Sequence, residues 1–546
     1  MTISNLTVTI KSMRASNTTK FHLTEDARRW AALAATALTV LVIGLDTTIL
    51  NVALPDIAVD LGASNAQLQW FADSYLLVLG ALLLPAGMLG DRYGRKRFTV
   101  GGLVVFGAGS LWCALATSAS GLIGARTLLG VGAAVLIPLA MSSVVVLFEA
   151  HERTRAIGVI GASTMLGLPL GPILAGVLLQ HYWWGAVFLV NLPVIAVALV
   201  AVATLLPEST GDRGRRLDLV GILLSSGALA AATFGVIEGP ERGWSDTLVL
   251  AGLIGGGALG GGFVRWQQCD RGLEPVVDPA LWGEPAFRWG GVTAATASLA
   301  FFGAMFVVPQ YLRGVLGADA LGTGLRSIPM VVGLLVGLRT TMALLPRFGS
   351  RTLGAAGFAI GAAAFVLGSR VTVESGYLVT GIWTFAVGSG VGAALFCGQN
   401  CALGALPRAR AATGSALIQA LRQVGSVLGI AVLGALLNAV YRSGLPVGGT
   451  GGLSAGQVAA LGQNVTSGVA GAARSGSAAL ERAVQSAFVG GLSATLWVSA
   501  AVCLAGACLV WVALPDDRVT SRGEAAVPAQ PAQEAQSSHA LDAAAD

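Results

Sequence analysis

"GMLGDRYGRKRF", residues 87–98, places one acid, three arginines and a lysine between two long runs of Leu, Ala, Val and Gly. Charge is scarce elsewhere in this chain. Only 11% of its 546 residues are charged and its mean hydropathy is +0.74, whereas soluble domains carry about 25% charged residues. About 20 consecutive apolar residues suffice to cross a bilayer as a helix. Such runs flank the charged link and recur along the chain, fourteen in all, near 32–53, 68–90, 98–117, 122–147, 155–179, 185–206, 218–238, 247–267, 289–311, 323–345, 352–369, 376–398, 413–438 and 488–513. The 75 glycines fit this reading, because small residues let membrane helices approach closely. The expected fold class is an all-α polytopic membrane protein.

Charge asymmetry orients the spans. With both termini in the cytoplasm, inside segments hold 23 Lys and Arg, outside loops 6 and the spans 4, which is the positive-inside pattern. The net charge of +5 therefore reflects membrane topology, and no nucleic-acid partner is expected. Residues 1–30 read as a polar cytoplasmic tail without a cleavable signal, and 516–546 as a disordered cytoplasmic tail. Only three of the 33 basic residues are lysine, amid many Ala and Gly. That bias suggests a GC-rich bacterial genome and hence the bacterial cytoplasmic membrane. Cys397 and Cys401 share a helical face, but no His or carboxylate joins them. The six cysteines read as apolar filler, and neither a metal nor another cofactor is expected.

The second half echoes the first. "ALPDIAVDLGA" (53–63) resembles "VVPQYLRGVLGA" (307–318), and "LGDRYGRK" (89–96) resembles "LPRFGSR" (345–351). Both offsets are about 255 residues. The domain expectation is a six-helix bundle over 31–206, a linker with two additional spans over 207–287, and a second six-helix bundle over 288–515. The second bundle carries a long external loop, 443–486, with a short amphipathic helix near "SAALERAVQSAF" (477–488). Paired six-span halves are a transporter architecture, with the central site between the halves near the midplane.

The charged link has readable chemistry. Gly87 permits close helix approach and Gly94 a turn that side chains would obstruct. Asp91 can accept backbone N–H groups from a neighbouring helix N-terminus. Arg92, Arg95 and Arg97 can pair with carboxylates or lipid phosphates, and Lys96 acts as a point charge. Such a cluster suits a gate that is held and then released. The second-half copy has Pro346 in place of Asp91 and Ser350 in place of Arg95, so it should gate differently.

"GMLGDRYGRKR" resembles the loop signature of the major facilitator superfamily. "LDTTILNVALPDI" (45–57), "GLPLGPILAG" (167–176) and "WWGAVFLVNLP" (183–193) extend the match, and with fourteen spans they resemble the drug–proton antiporters of the EmrB/QacA type. The resemblance covers roughly residues 30–515 and implies the major facilitator fold, two six-helix bundles plus two extra central spans. It also implies that Gly167, Gly171, Pro172 and Gly176 form an antiporter motif in span five, and that Arg126 is the buried arginine of span four. The glycine spacing by itself puts a smooth strip on one helix face, with a kink at the proline.

Uphill export needs energy. No phosphate-binding loop is present, so the expected source is an ion gradient acting on carboxyl groups within the spans. An ionisable residue at the bilayer centre costs about 2.5–3.5 kcal/mol on insertion scales, so its presence needs a reason. Asp46 is the deepest candidate, followed by Asp73 and then Glu238 at the outer end of span seven. Every Asp and Glu beyond residue 246 falls in a loop or tail. Proton coupling is therefore expected from Asp46, Asp73, Arg126 and Glu238. The candidate substrate cavity takes in Trp70, Phe301, Phe302, Met305, Gln419 and Arg422, since aromatic faces near a carboxylate suit lipophilic cations.

The leading expectation is a monomeric, proton-coupled exporter of lipophilic drugs or antibiotics, with protons, the cargo and the bilayer as its partners. The alternative is a dedicated exporter of one self-made metabolite or antibiotic. An uptake symporter fits the span-five motif poorly. A membrane enzyme would need clustered His, Asp or Glu at one face, and the four histidines are scattered outside the spans.

Overall fold

A computed structural model describes residues 25–149, 152–209, 216–269, 273–274, 279–406, 411–445, 461–474 and 477–515. The C-terminal tail expected as disordered lies outside these residues, as do residues 1–24 of the polar N-terminal tail and parts of the linker and of the long external loop, whereas residues 25–30 of that tail begin α1. The first group of helices is α1 (Glu25–Asp60), α2 (Asn65–Tyr93), α3 (Arg95–Ala114), α4 (Ala119–Leu147), α5 (Arg153–His181), α6 (Ala186–Leu189) and α7 (Asn191–Leu205). An inserted segment follows, with β1 (Arg216–Leu217), α8 (Leu219–Arg242), α9 (Thr247–Gln267), β2 (Leu273–Glu274) and α10 (Pro279–Gly283). The second group is α11 (Pro285–Gly314), α12 (Ala320–Gly368), α13 (Tyr377–Gly404), α14 (Ala411–Ser443), α15 (Val465–Arg474) and α16 (Ala478–Ala513).

Among the described residues, twelve helices are long and apolar enough to cross a membrane. One of them, the 49-residue α12, is two helices joined at Gly349, whose φ of 72° and ψ of 162° are not helical. A link that the sequence presents as a loop is thus a glycine kink between abutting helices. Among the described residues the only sheet is a two-residue parallel ribbon, Arg216–Leu217 against Leu273–Glu274, which ties together the two ends of the inserted pair.

The repeat is visible in the backbone. Gly62 and Gly317, and likewise Gly94 and Gly349, have positive φ and lie 255 residues apart in each pair. The next helix starts the same way in both halves, capped by Ser64 before α2 and by Asp319 before α12. Packing repeats as well. Helix α1 lies along α5 as α11 lies along α14, and α2 lies along α4 as the first part of α12 lies along α13. Glycines make these contacts close: a methyl group added at Gly388 would sit 2.0 Å from the Met330 carbonyl oxygen. Without a hydrophobic force between helices in lipid, such contact supplies much of the packing energy.

The halves meet along three seams, α1–α11, α2–α14 and α5–α12. The inserted α8–α9 pair is the least buried of the spans, and α8 lies over the α2–α14 seam. Most of the expected short amphipathic helix is not separate: from Ala478 onward its residues form the first turns of α16. Ser477 caps the helix by accepting from the Leu480 N–H at 3.2 Å, and buried Leu480, Val484 and Phe488 continue one face into the membrane.

Candidate transport site

Asp46 on α1 and Arg126 on α4 form a fully buried ion pair, Nη1 to Oδ2 2.6 Å. Each charge has further partners. Arg126 Nε donates to the Phe71 carbonyl at 2.9 Å, and its guanidinium lies over the Tyr75 ring, 4.4 Å from the centroid. Asn191 at the start of α7 donates to the other Asp46 oxygen at 3.4 Å and to Ser110 Oγ at 3.1 Å. Ser110 Oγ in turn donates to the Phe188 carbonyl at 2.8 Å. Buried ions persist only when paired and hydrogen-bonded, and here three further helices, α2, α3 and α7, and the α6 turn supply the partners.

A small void adjoins this pair between the halves. Its lining includes Asn51, Tyr75 and Arg126 from the first half and Phe302 and Ile430 from the second. Phe302 is therefore the expected cavity residue that meets the ion pair. Phe301 packs edge-on against it, ring centroids 5.4 Å apart, and Met305 is buried in the same core.

Asp73 on α2 differs from Asp46. It is fully buried, and neither carboxyl oxygen has a hydrogen-bond partner among the described residues. Trp70 and Glu238, expected in the cavity and in proton coupling, instead pair with each other at the α2–α8 contact. Trp70 Nε1 donates to Glu238 at 3.2 Å, and Arg242 donates to the other Glu238 oxygen at 2.8 Å. Arg422 on α14 donates to Gln419 at 3.0 Å, while its Nε is buried without a partner among the described residues. Gln423 beside it packs on Gly80 of α2, so this stretch of α14 does face the other half.

The charged link forms a tight turn. Gly94 has φ 122° and ψ 116°, a conformation that side chains disfavour. Gly87 packs on Pro138 of α4. Glu208 of the linker lies against Gly94 and pairs with Arg97 at 3.5 Å, and the Arg95 N–H donates to the Ser209 carbonyl at 3.0 Å. Arg92 lies over the Tyr93 ring and Lys96 is half-buried. The Asp91 side chain lies outside the described residues.

The glycine strip of α5 serves two neighbours. A Cβ at Gly167 would lie 2.5 Å from the Leu41 carbonyl oxygen, and Gly171 abuts Leu45 and Ile49, so both pack on α1. Pro172 and Gly176 meet Gly324 and Leu321 of α12 across the half-to-half seam. Further cross-half contacts cluster at this end. Arg313 of α11 pairs with Asp56 of α1. Asn65 Nδ2 donates to Asn438 Oδ1 at 3.0 Å, and Asn464 Nδ2 donates to the Ala63 carbonyl at 2.8 Å. Toward the other end, Gly158 and Gly161 of α5 face open space, and Arg339, Thr340, Met342, Leu344 and Phe348 of α12 are exposed.

Sequence reasoning did not single out Asn51, Tyr75, Asn191, Gln69, the Asp56–Arg313 pair or Glu208. A signal existed for Asn191, which sits in the quoted "WWGAVFLVNLP". Gln69 lies one helical turn from Asp73.

Residues 36–430 match the family model described as Major Facilitator Superfamily. The chain belongs to the major facilitator superfamily. Among its relatives, the multidrug efflux pump LfrA of Mycolicibacterium smegmatis is 34% identical, with 89% of this chain and 96% of LfrA aligned. The tetracenomycin C resistance and export protein of Streptomyces glaucescens is 32% identical over 75% of this chain and 76% of its own length. A bacterial homologue of the human lysosomal transporter Spinster, solved inward-facing and unoccupied, superposes with a TM-score of 0.64 at 18% identity. That match covers 89% of this chain and 97% of the other, and it shows the fold alone. The resemblance to EmrB/QacA-type drug exporters is borne out. This superfamily member is a multi-pass membrane transporter related to multidrug and antibiotic export pumps, not an enzyme.

Proposed function

We propose that the chain is a proton-coupled antiporter of fourteen spans that expels lipophilic cations by alternating access. The count adds α2 and the division of α12 at Gly349 to the twelve apolar helices, and the arginine asymmetry puts both termini in the cytoplasm. The observation that carries the reading is the buried Asp46–Arg126 pair beside a void walled by both halves. In the resting pair Asp46 is a carboxylate held by Arg126. Protonation of Asp46 cancels the attraction and leaves Arg126 with Phe71 and Tyr75. A positively charged cargo entering beside Phe302 and Asn51 meets the cation–Asp46 pair and favours the deprotonated acid. Cargo and proton then compete for one set of groups, as exchange requires. Clustered contacts at the outer end, with exposed α5 and α12 surfaces at the other, support an inward-facing reading of this state.

A second reading keeps the mechanism and narrows the cargo to one endogenous antibiotic. It is favoured by relatives named for export of single antibiotics, tetracenomycin C and cephamycin. Everted membrane vesicles with a proton-gradient dye test both readings against a panel of lipophilic cations and neutral antibiotics. Cation-induced collapse of the gradient, lost in Asp46→Asn and Asp73→Asn, supports proton exchange. Response to one compound alone favours the dedicated exporter.

A further inference from the structure

Three residues of α2 lie one turn apart on one face, Asn65, Gln69 and Asp73, and all are buried. Each step moves about 6 Å along the helix axis, inward from the outer end. Their neighbours are known at both ends of the file. Asn65 bonds Asn438 of α14, and the Gln69 side chain lies over Gly434 of the same helix. On α8, Ile237 clusters with Ala66 of α2 and Ala431 of α14, and Phe234 meets Trp70. Thr233, one turn inward from Ile237, is therefore on the α8 face that covers this seam, and it is fully buried.

These polar groups are unsatisfied. Gln69 Nε2 and Oε1, both Asp73 oxygens, Thr233 Oγ1 and Asn438 Nδ2 lack partners among the described residues. Buried polar atoms are paired in nearly all folded proteins, so a run of orphans along one seam needs an occupant. Donors and acceptors of these kinds suit water, which makes several hydrogen bonds to otherwise unsatisfied groups. The ionisable groups on the packed helices are committed elsewhere or lie toward the ends of the seam. Arg126 on α4 holds Asp46, Glu238 and Arg242 on α8 bond each other, Glu241 accepts from Ser64 and the Ala66 N–H, and Arg422 on α14 lies deeper with Gln419.

We propose that Asn65, Gln69 and Asp73 of α2, with Asn438 of α14 and Thr233 of α8, form the outer proton-entry file of the transporter. The inference rests on the proton-antiport reading and adds a route to it. In the state described, the Asn65–Asn438 bond closes the mouth and separates the water of the file from the outer medium. When α2 and α14 part at the outer end, water from that medium enters along Gln69 and Thr233. A hydronium ion then passes its proton to the Asp73 carboxylate, leaving a carboxylic acid and a water molecule. The inserted helices acquire a role in this scheme, because α8 walls the file off from lipid and supplies one of its hydroxyls.

The test uses the full-length chain in liposomes, ethidium as the lipophilic cation and an imposed acid step on the outer face. Gln69→Leu and the nearly isosteric Thr233→Val should slow acid-driven export about tenfold, what losing one hydrogen bond to a charged group commonly costs. Ethidium exchange without a gradient should stay within about twofold of wild type, since a drier file leaves cargo binding intact. Gln69→Asn, which keeps the amide, should restore part of the rate. Acid-driven export at the wild-type rate in Gln69→Leu and Thr233→Val, with Asp73→Asn inactive, overturns the file and spares Asp73. Wild-type rates in all three, Asp73→Asn included, remove Asp73 from the coupling as well.

Discussion

The two halves of this transporter share a backbone and differ in chemistry. Positive-φ glycines recur at the same spacing in each, the same helix pairs pack together, and both second helices begin at a capped turn. Yet Asp46, Asp73 and the buried Arg126 all lie in the first half, while the matching spans of the second contain no Asp or Glu and contribute Phe302 and Ile430 to the shared void. Under the proposed mechanism the difference has a clear meaning: repeated packing would supply two levers that rock against each other, whereas the titratable chemistry would need to sit on only one. A buried charge is costly, and of the two acids only Asp46 is paired with the arginine.

The sharpest way to break the comparison is to neutralise the first half. Asp46→Asn should reduce gradient-driven export by about 100-fold or more, in line with loss of a positioned acid–base group, and should weaken cargo exchange without a gradient by much less. Vesicle assays with and without an imposed pH step read both. Next in size is Arg126→Leu, which strands Asp46 and should lower stability by about 3–5 kcal/mol, the usual consequence of breaking a buried pair. Thermal unfolding in detergent measures it, and Asp46→Asn combined with Arg126→Leu should recover part of the loss.

The turns sharpen the contrast between the halves. Gly94→Ala faces both a disfavoured backbone and the Glu208 carboxylate, 2.6 Å from the new methyl group. Gly349→Ala also faces a backbone that side chains disfavour, a strain of order 1–3 kcal/mol. The first-half variant should therefore lose more stability and more transport than its counterpart, compared by unfolding midpoints and export rates. The smallest effect is expected for Asp56→Asn. It removes the cross-half pair with Arg313 at the outer end, a partly exposed bridge of about 1 kcal/mol or less. Labelling of a cysteine placed at the outer seam should rise modestly, reporting a population shifted toward outward-open, and wild-type labelling contradicts a latch.

Much of this was legible in the sequence because membrane helices announce themselves through long apolar runs and because glycine spacing encodes close packing. Asp46 and Arg126 stood out as ions where ions are expensive, and the structure does bring them together. The partners of those ions were not legible. Asn191 and Ser110 are ordinary polar residues whose value lies in tertiary placement, and Tyr75 reads as one more aromatic in an apolar span. Trp70 beside Asp73 suggested a cargo pocket, but facing Glu238 on α8 decided its geometry, and nothing local to α2 reveals which helix the insert covers. The kink at Gly349 reads as a loop because charge and glycine cluster there, and only backbone angles show two helices meeting.

The most direct measurement is proton release on cargo binding by the purified protein in weakly buffered detergent solution. Addition of a lipophilic cation such as tetraphenylphosphonium should acidify the solution for the wild type. The signal should vanish in the Asp46→Asn, Asp73→Asn double variant while binding of the cation is still detected by calorimetry. Cation binding without any proton release by the wild type, or equal release by the double variant, contradicts proton exchange at the first-half acids.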